Sequence, residues 1–192
     1  SGAVLDDGEF ERIAELCRDR GVYLLSDECY SHFLYDRRTP FSVAARLDLK
    51  SHIVVAGSVS KTYAMTGWRI GYVLASPEII QAVVKLQSHS TSNPASISQK
   101  AALEALSGPQ ESVGVMLAEY ARRRKFVIDR LRAIPGVKCA EPGGAFYAWC
   151  NVSGLRQPAA VIAAQWLEEA LVAVVPGEGF GSPEFVRFSF AT

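Results

Sequence analysis

Two short apolar runs constrain the fold most, because each ends in a cluster of polar residues. Residues 22–25 lead into 26–30, and residues 53–56 lead into 57–61. Short apolar runs that alternate with helical patterns are typical of the buried strands of a parallel sheet. Ligands of such sheets gather beyond the carboxyl ends of the strands. The two polar clusters therefore predict one binding site at that edge.

Helical patterns surround these runs. In the first, Phe10, Ile13, Ala14 and Cys17 recur at the spacing i, i+3, i+4, i+7. Asp6 or Asp7 caps this helix, and Gly21 ends it. A third buried strand is expected over 70–75. This alternation of helices and strands predicts an α/β fold with a parallel sheet.

A second, smaller α+β unit is predicted from the pattern after residue 110. Its expected elements are a long helix, a strand with one wetter face, a further helix and two more strands: 110–133, 145–149, 158–170, 172–175 and 185–190. We therefore expect two domains, 1–115 and 116–192. The charged run 122–125 is interpreted as a solvated helix face. Phe146, Tyr147 and Trp149 are interpreted as core residues.

Charge and composition exclude several classes of protein. Twenty Lys and Arg balance twenty Asp and Glu, so nothing favours a nucleic-acid partner. No apolar run reaches the roughly 18 residues of a membrane span. The four cysteines form no CxxC pair, and no histidine stands at metal-ligand spacing. These features predict a cytoplasmic protein with reduced thiols and no metal site.

Seven polar residues stand out as a combination, although each alone is ordinary. A single lysine or arginine is most often a solvated surface residue. Here the candidates follow successive strand ends, together with one late strand. They are Asp27, Tyr30, Ser58, Ser60, Lys61, Arg69 and Arg187.

The segment 58–72, SVSKTYAMTGWRIGY, resembles the lysine signature of the class I/II aminotransferases, which are pyridoxal-phosphate enzymes of fold type I. Residues 27–30 match the Asp-x-x-Tyr element of that family, and 186–192 match its substrate-arginine strand. Residues 87–99 and 172–177 are similar to the bacterial aspartate aminotransferase branch. The resemblance implies a mostly parallel large domain that binds pyridoxal phosphate, followed by a small α+β domain.

The resemblance assigns a role to each candidate. Lys61 would be the catalytic amine that holds the cofactor aldehyde and moves the substrate α-proton. Asp27 would keep the ring nitrogen protonated, because a carboxylate stabilises that charge. Tyr30 would donate a hydrogen bond to the ring oxygen.

The phosphate and the substrate need other donors. By resemblance, Ser58, Ser60 and Arg69 would bind the phosphate, the arginine through a bidentate fork. Arg187 would bind the α-carboxylate of the substrate in the same planar geometry. The implied substrates are an amino acid and a 2-oxo acid, and the implied assembly is a homodimer.

Members of the family are considerably longer than this chain. The resemblance therefore implies a fragment that lacks the N-terminal half and the last helix, and that is inactive on its own. Two other hypotheses about its function stay open. One is a pyridoxal-phosphate lyase of the same fold, and the other is a non-catalytic fragment that does not hold the cofactor alone.

Overall fold

The computed structural model describes residues 1–192 and divides them into two compact units. The lysine unit comprises Leu5–His32 and Thr39–Gly114. The arginine unit comprises Ser1–Val4, Phe33–Arg38 and Val115–Thr192. The chain thus contributes two short early segments to the unit that holds its second half.

Helices and strands alternate through most of the chain. The helices are α1 (Asp7–Asp19), α2 (Val59–Thr62), α3 (Pro77–Ser90), α4 (Ser96–Ser107), α5 (Glu111–Arg132) and α6 (Ala159–Ala170). The strands are β1 (Leu24–Asp27), β2 (Ile53–Ser58), β3 (Gly71–Leu74), β4 (Lys138–Cys139), β5 (Tyr147–Asn151), β6 (Val175–Pro176) and β7 (Phe185–Ser189). Short 3-10 turns form at Val43–Ala45, Leu47–Leu49, Thr66–Trp68, Ser153–Leu155 and Gly177–Phe180. No helix has both the length and the apolar composition needed to cross a membrane.

The first helix begins and ends where the sequence predicts. Asp6 Oδ1 accepts the Glu9 N–H at 2.7 Å, and Glu9 Oε2 accepts the Asp6 N–H at 3.1 Å, which completes a capping box. Gly21 follows the helix with φ of 63°, a conformation that glycine adopts without steric cost. The packed face of α1 presents the buried Ala14.

The sheet of the lysine unit has the order β1-β2-β3. β1 and β2 are parallel, with Leu24 opposite Ile53 and Asp27 opposite Ala56. Val43, Leu49, Ile53 and Val55 form the core with Ala14, so α1 and the 3-10 turns cover one face of the sheet.

The third strand differs from the expected buried parallel strand. β3 runs antiparallel to β2 and lies at the edge of the sheet, where Tyr72, Val73 and Leu74 are exposed. A parallel return needs a crossover that spans the sheet, usually a helix. The segment 59–70 contains only α2 and one 3-10 turn, so the chain folds back beside β2.

The arginine unit is an antiparallel sheet packed against helices, as expected for an α+β unit. Its strand order is β4-β5-β7-β6. The core combines residues of α5, β5, α6 and β7, among them Ile128, Cys150, Ile162 and Val186. Buried and half-buried residues alternate along β5, which confirms the predicted wetter face.

The charged run on α5 is not uniformly solvated, so that interpretation was wrong for Arg124. Its side chain is only 9% exposed, and its guanidinium donates to Asp36 Oδ1 at 3.1 Å and Oδ2 at 2.8 Å. Glu141 lies 3.2 Å from the same group, and the guanidinium carbon stands 4.7 Å over the Tyr35 ring. Arg124 therefore ties the segment 33–38 to α5.

The chain passes from the lysine unit to the arginine unit after Gly114, within α5. The assignment of residues 1–115 to a cofactor-binding large domain and 116–192 to a small domain stays a prediction.

Candidate functional site

The two predicted polar clusters lie at one edge of the lysine unit. Asp27 is the last residue of β1 and pairs with Ala56, two residues before the end of β2 at Ser58. The Glu28 N–H extends this pairing by donating to the Ala56 carbonyl at 2.8 Å. Because β1 and β2 are parallel, their carboxyl ends bring the two clusters side by side.

The turn after β1 fixes the Asp27 carboxylate. Asp27 Oδ1 accepts the Cys29 N–H at 3.1 Å, the local hydrogen bond that aspartate commonly makes at a turn. The Ser31 N–H donates to the Glu28 carbonyl at 3.1 Å, which closes the turn around the half-buried Tyr30. Asp27 and Tyr30 therefore belong to one tight turn.

Ser58 caps the short helix that carries Lys61. It has an extended backbone, with φ −150° and ψ 144°, and its Oγ accepts the Ser60 N–H at 3.0 Å. The Ser58 and Ser60 hydroxyl oxygens are 2.8 Å apart. This cap turns the chain sharply after β2, so that two hydroxyl groups and the half-buried Lys61 amine share one helical turn.

Cys29 is the link between the clusters that sequence reasoning missed. Burial raises the pKa of its thiol, and the nearby Asp27 carboxylate raises it further. Lys61 and a hydrogen bond with Ser58 act in the opposite direction on the same pKa. The Cys29 thiol thus interacts with groups from both strand ends. Only its position inside the 27–30 element could have indicated this.

Arg69 stands where the chain enters β3. It adopts a left-handed conformation, with φ 50° and ψ 54°, which a non-glycine residue adopts only at an energetic cost. Its Nη1 donates to the Thr66 carbonyl at 2.8 Å. Ser58 pairs with Gly71 and lies 3.3 Å from the Ile70 carbonyl oxygen. The backbone of Arg69 is therefore held beside Ser58, while its side chain is exposed.

A tyrosine ring covers the sheet next to Ser58. Tyr72 in β3 pairs with Gly57 in β2, and its ring occupies the space that a Cβ on Gly57 would need. The partial burial of its hydroxyl group raises the Tyr72 pKa, as do the nearby Glu28 and Tyr63. Glycine at this position lets an aromatic ring lie against the backbone next to α2, the helix that carries Lys61.

Arg187 belongs to the arginine unit and is described separately from the other six candidates. It lies in β7 between Trp149 of β5 and Val175 of β6. The guanidinium carbon is 4.5 Å from the centre of the Tyr147 ring and 4.8 Å from that of Phe180. Two aromatic faces thus hold the planar group in a defined plane.

The aromatic residues around Arg187 support one another on the wetter face of the sheet. Trp149 stacks on Phe185 at 5.3 Å between ring centroids and meets Phe180 edge-on at 5.5 Å. Phe146 is buried as predicted, whereas Tyr147 and Trp149 are half-buried. Strand alternation places Tyr147 and Trp149 on one face, but only the pairing of β5 with β7 reveals Arg187 as their partner.

The donor set of the lysine unit fits pyridoxal phosphate chemically. One strand edge presents an amine for an aldehyde, a carboxylate for a ring nitrogen, and two hydroxyl groups for a phosphate. Three of these residues, Asp27, Ser58 and Lys61, act on the same Cys29 thiol and therefore lie close together. The structure places Arg69 at the same strand end but does not bond its guanidinium to either serine.

Comparisons with known proteins identify the family of this chain. The family model "Aminotransferase class I and II" matches residues 1–192. An aspartate aminotransferase of Geobacillus stearothermophilus is 43% identical over 199 residues, an alignment that covers 100% of this chain and 50% of that protein. The chain therefore spans about half the length of the curated relatives it matches.

Solved structures show the same fold. The aromatic aminotransferase of Pyrococcus horikoshii superposes with a TM-score of 0.93 at 37% identity, covering 100% of this chain and 52% of that one. The aspartate aminotransferase of Rhizobium meliloti gives 0.91 at 40% identity, covering 100% and 51%. These matches confirm the predicted α/β fold class. The chain belongs to the class I and II aminotransferase family.

Proposed function

We propose that a protein containing this chain is a pyridoxal-phosphate-dependent aminotransferase that moves an amino group between an amino acid and a 2-oxo acid. One observation carries the proposal. The Cys29 thiol interacts with Asp27 at the end of β1 and with Ser58 and Lys61 at the end of β2. An amine, a carboxylate and a hydroxyl group from the ends of two strands therefore all act on this thiol, which supports a shared site. Family membership over the whole chain supports the same reaction.

Six residues of the lysine unit would bind different parts of the cofactor. Lys61 Nζ would hold the aldehyde carbon, Asp27 the ring nitrogen and Tyr30 the ring oxygen. Ser58, Ser60 and Arg69 would hold the phosphate. The cap that binds the Ser60 N–H orients both serine hydroxyls before any ligand arrives, so little rearrangement is needed on binding.

When bound, pyridoxal phosphate withdraws electrons from the α-carbon of an amino acid. Asp27 would support this chemistry by holding a proton on the ring nitrogen. Its carboxylate is already oriented by the Cys29 N–H. Lys61 Nζ would take the α-proton and then pass it on, a role that requires the amine to be neutral when it takes the proton. The half-buried position of Lys61 is compatible with both tasks.

Arg187 would bind the α-carboxylate of the substrate. Tyr147 and Phe180 fix the plane of its guanidinium and shield its faces from water. A fork that is fixed in advance loses less entropy when it accepts a planar carboxylate. This is a substrate-binding role, because the arginine carries no proton that the reaction needs.

Aspartate or a related amino acid is the substrate class we propose. The Geobacillus and Rhizobium relatives are named aspartate aminotransferases, and the Pyrococcus structure is named an aromatic aminotransferase. Parallel assays with aspartate and phenylalanine, each with 2-oxoglutarate as acceptor, decide between these classes. A kcat/KM for phenylalanine above that for aspartate would contradict the aspartate-type proposal.

The oligomeric state and the location of the protein are proposed from its family membership. We propose a homodimer that works in the cytoplasm. We expect no turnover from the 192-residue chain by itself, since it spans about half the length of its relatives. Measurable glutamate formation by the isolated chain would contradict this expectation.

Covalent trapping tests the role of Lys61. The full-length protein that carries this chain is loaded with pyridoxal phosphate, reduced with borohydride and digested, and mass spectrometry then locates the pyridoxyl group. We expect the label on Lys61, none in the variant Lys61→Ala, and an unchanged label in the matched control Lys85→Arg. A label on another lysine of the unchanged protein would overturn the assignment.

Reaction products separate the alternatives. Glutamate formed from aspartate and 2-oxoglutarate supports a transaminase. Ammonia released from the amino acid without 2-oxoglutarate indicates a lyase. A protein whose visible absorption does not change after addition of pyridoxal phosphate is the non-catalytic alternative.

A further inference from the structure

Two cysteines face each other across the sheet of the arginine unit. Cys139 in β4 is directly opposite Cys150 in β5, and their Sγ atoms are 3.0 Å apart. Both are free thiols in the structure. Directly opposed residues of an antiparallel pair have Cα atoms about 4.5 or 5.5 Å apart, within the range that a disulfide spans. The sulfur atoms need to approach by only about 1 Å to reach bonding distance.

We propose that Cys139 and Cys150 are a reversible redox modification site that forms a disulfide on exposure to a hydroperoxide. This proposal does not depend on the proposed function. It concerns only groups within the arginine unit, and it goes beyond the aminotransferase chemistry of the lysine unit.

The two thiols have different roles in the reaction. The Cys150 thiol donates a hydrogen bond to Cys139 Sγ, which lowers the pKa of Cys139 and raises that of Cys150. The Arg132 guanidinium also favours the Cys139 thiolate. We assign the first attack to Cys139, because it lines an open cavity whereas Cys150 is fully buried, and the thiolate is the nucleophile.

Access also favours Cys139. It lines a cavity of about 500 Å³ whose walls include Glu141, Trp149 and Phe185. Cys150 is fully buried behind it. A molecule as small as hydrogen peroxide fits such a cavity, so it reaches Cys139 before Cys150.

The reaction then proceeds in two steps. The Cys139 thiolate attacks one oxygen of hydrogen peroxide, the O–O bond breaks and hydroxide leaves, giving a sulfenic acid on Cys139. Cys150 sulfur attacks Cys139 sulfur, the S–O bond breaks, and the departing hydroxide leaves as water with the Cys150 proton. Including the proton first lost by Cys139, two thiols and one peroxide yield one disulfide and two waters.

The position of this pair gives the modification a structural consequence. Cys150 pairs with Val186, the neighbour of Arg187 in β7. A disulfide would join β4 covalently to β5, the strand that lies between β4 and the arginine strand.

Differential alkylation tests the proposal on the full chain. Reduced protein is freed of reductant, treated with an equimolar amount of hydrogen peroxide, and alkylated with N-ethylmaleimide in guanidinium chloride. Intact mass should show two alkyl groups fewer, and peptide mass spectrometry should find Cys139 joined to Cys150. Dithiothreitol should restore both alkylation sites.

Matched controls use the remaining thiols. We expect Cys139→Ser and Cys150→Ser to abolish the link, and Cys17→Ser to leave it unchanged. Oxidation repeated in guanidinium chloride should form this link at least about tenfold more slowly, because folding supplies the proximity. This comparison needs no variant, so it holds even where a serine substitution prevents folding.

Three results would overturn the proposal. One is full alkylation of Cys139 and Cys150 after peroxide treatment of the folded chain. The second is a stable sulfinic acid on Cys139 with Cys150 alkylated. The third is a link that forms as fast in the unfolded chain as in the folded one.

Discussion

Replacing Arg124 tests which part of a buried arginine stabilises the arginine unit. The guanidinium meets two acids and one aromatic ring, yet Asp36 and Glu141 are 62% and 49% exposed. Exposed ion pairs contribute about 0–1 kcal/mol, and a cation over an aromatic ring adds about 1 kcal/mol. Against these gains, the buried Nε of Arg124 has no hydrogen-bond partner, which costs about 1–3 kcal/mol. The charged group should therefore contribute about 1 kcal/mol or less.

The aliphatic stem should contribute more. Truncation to alanine removes two buried methylene groups, each about 0.8 kcal/mol, and leaves a cavity. We expect Arg124→Met to lower the free energy of unfolding by about 1 kcal/mol or less and Arg124→Ala by about 2–3 kcal/mol. Removing the arginine leaves two acids that water can solvate again, so no buried charge is stranded.

Urea unfolding followed by tryptophan fluorescence measures these differences. Trp149 and Trp166 lie in the arginine unit, and Trp68 lies in the lysine unit. A Trp68→Phe background therefore makes the signal specific to the unit that holds Arg124. Arg122→Met is the matched control, since that side chain is 71% exposed, and it should leave the free energy of unfolding nearly unchanged.

Equal losses for Arg124→Met and Arg124→Ala would refute this reasoning, because the charge would then outweigh the stem. Acid provides an independent check. Hydrogen bonds from Arg124 lower the pKa of Asp36 in the folded state. The stabilisation from this pair is therefore present above the unfolded pKa near 3.9 and is lost as pH falls through the lower folded value. The unchanged protein and Arg124→Met should differ less in strong acid than at neutral pH.

Three further predictions concern the candidate site. Asp27→Asn in the full-length protein should keep its cofactor by visible absorption and lose at least about tenfold in kcat, about 1.4 kcal/mol of barrier; a smaller loss would remove its assigned role. Arg187→Lys should raise KM with cofactor affinity unchanged, and Phe180→Leu should do so more weakly; cofactor loss measured by absorption would instead place Arg187 at the phosphate. Gly57→Ala should lower the free energy of unfolding by about 1–3 kcal/mol in urea, and adding Tyr72→Ala should recover part of that loss; additive losses would show that the ring does not cause the strain.

The sequence predicted well what depends on neighbouring residues. The Asp6 capping box and Gly21 fixed the ends of α1, because capping involves residues three or four apart. The clustering of Asp27 and Ser58 followed from strand ends in a parallel pair, which is a rule of topology and not of side-chain detail. Local rules and one topological rule were therefore enough to predict that the two polar clusters lie side by side.

Contacts between distant segments were not predictable in the same way. The burial of Arg124 depends on Asp36, a residue far away in the sequence, so its charged neighbours on α5 misled the interpretation. The contact of Tyr147 with Arg187 needs the register of β5 against β7. β4 has only two residues, too few for a periodic pattern. Each case required knowledge of the partner before the residue could be interpreted.

The edge strand β3 has a practical consequence for handling the chain. Its backbone groups pair with β2 on one side only, and Tyr72, Val73 and Leu74 are exposed. Open strand edges with apolar side chains recruit other strands and nucleate aggregation. Refolding yield should therefore fall steeply with protein concentration. The substitution Val73→Lys should raise the yield of unaggregated protein, because charged residues on natural edge strands oppose pairing with other strands.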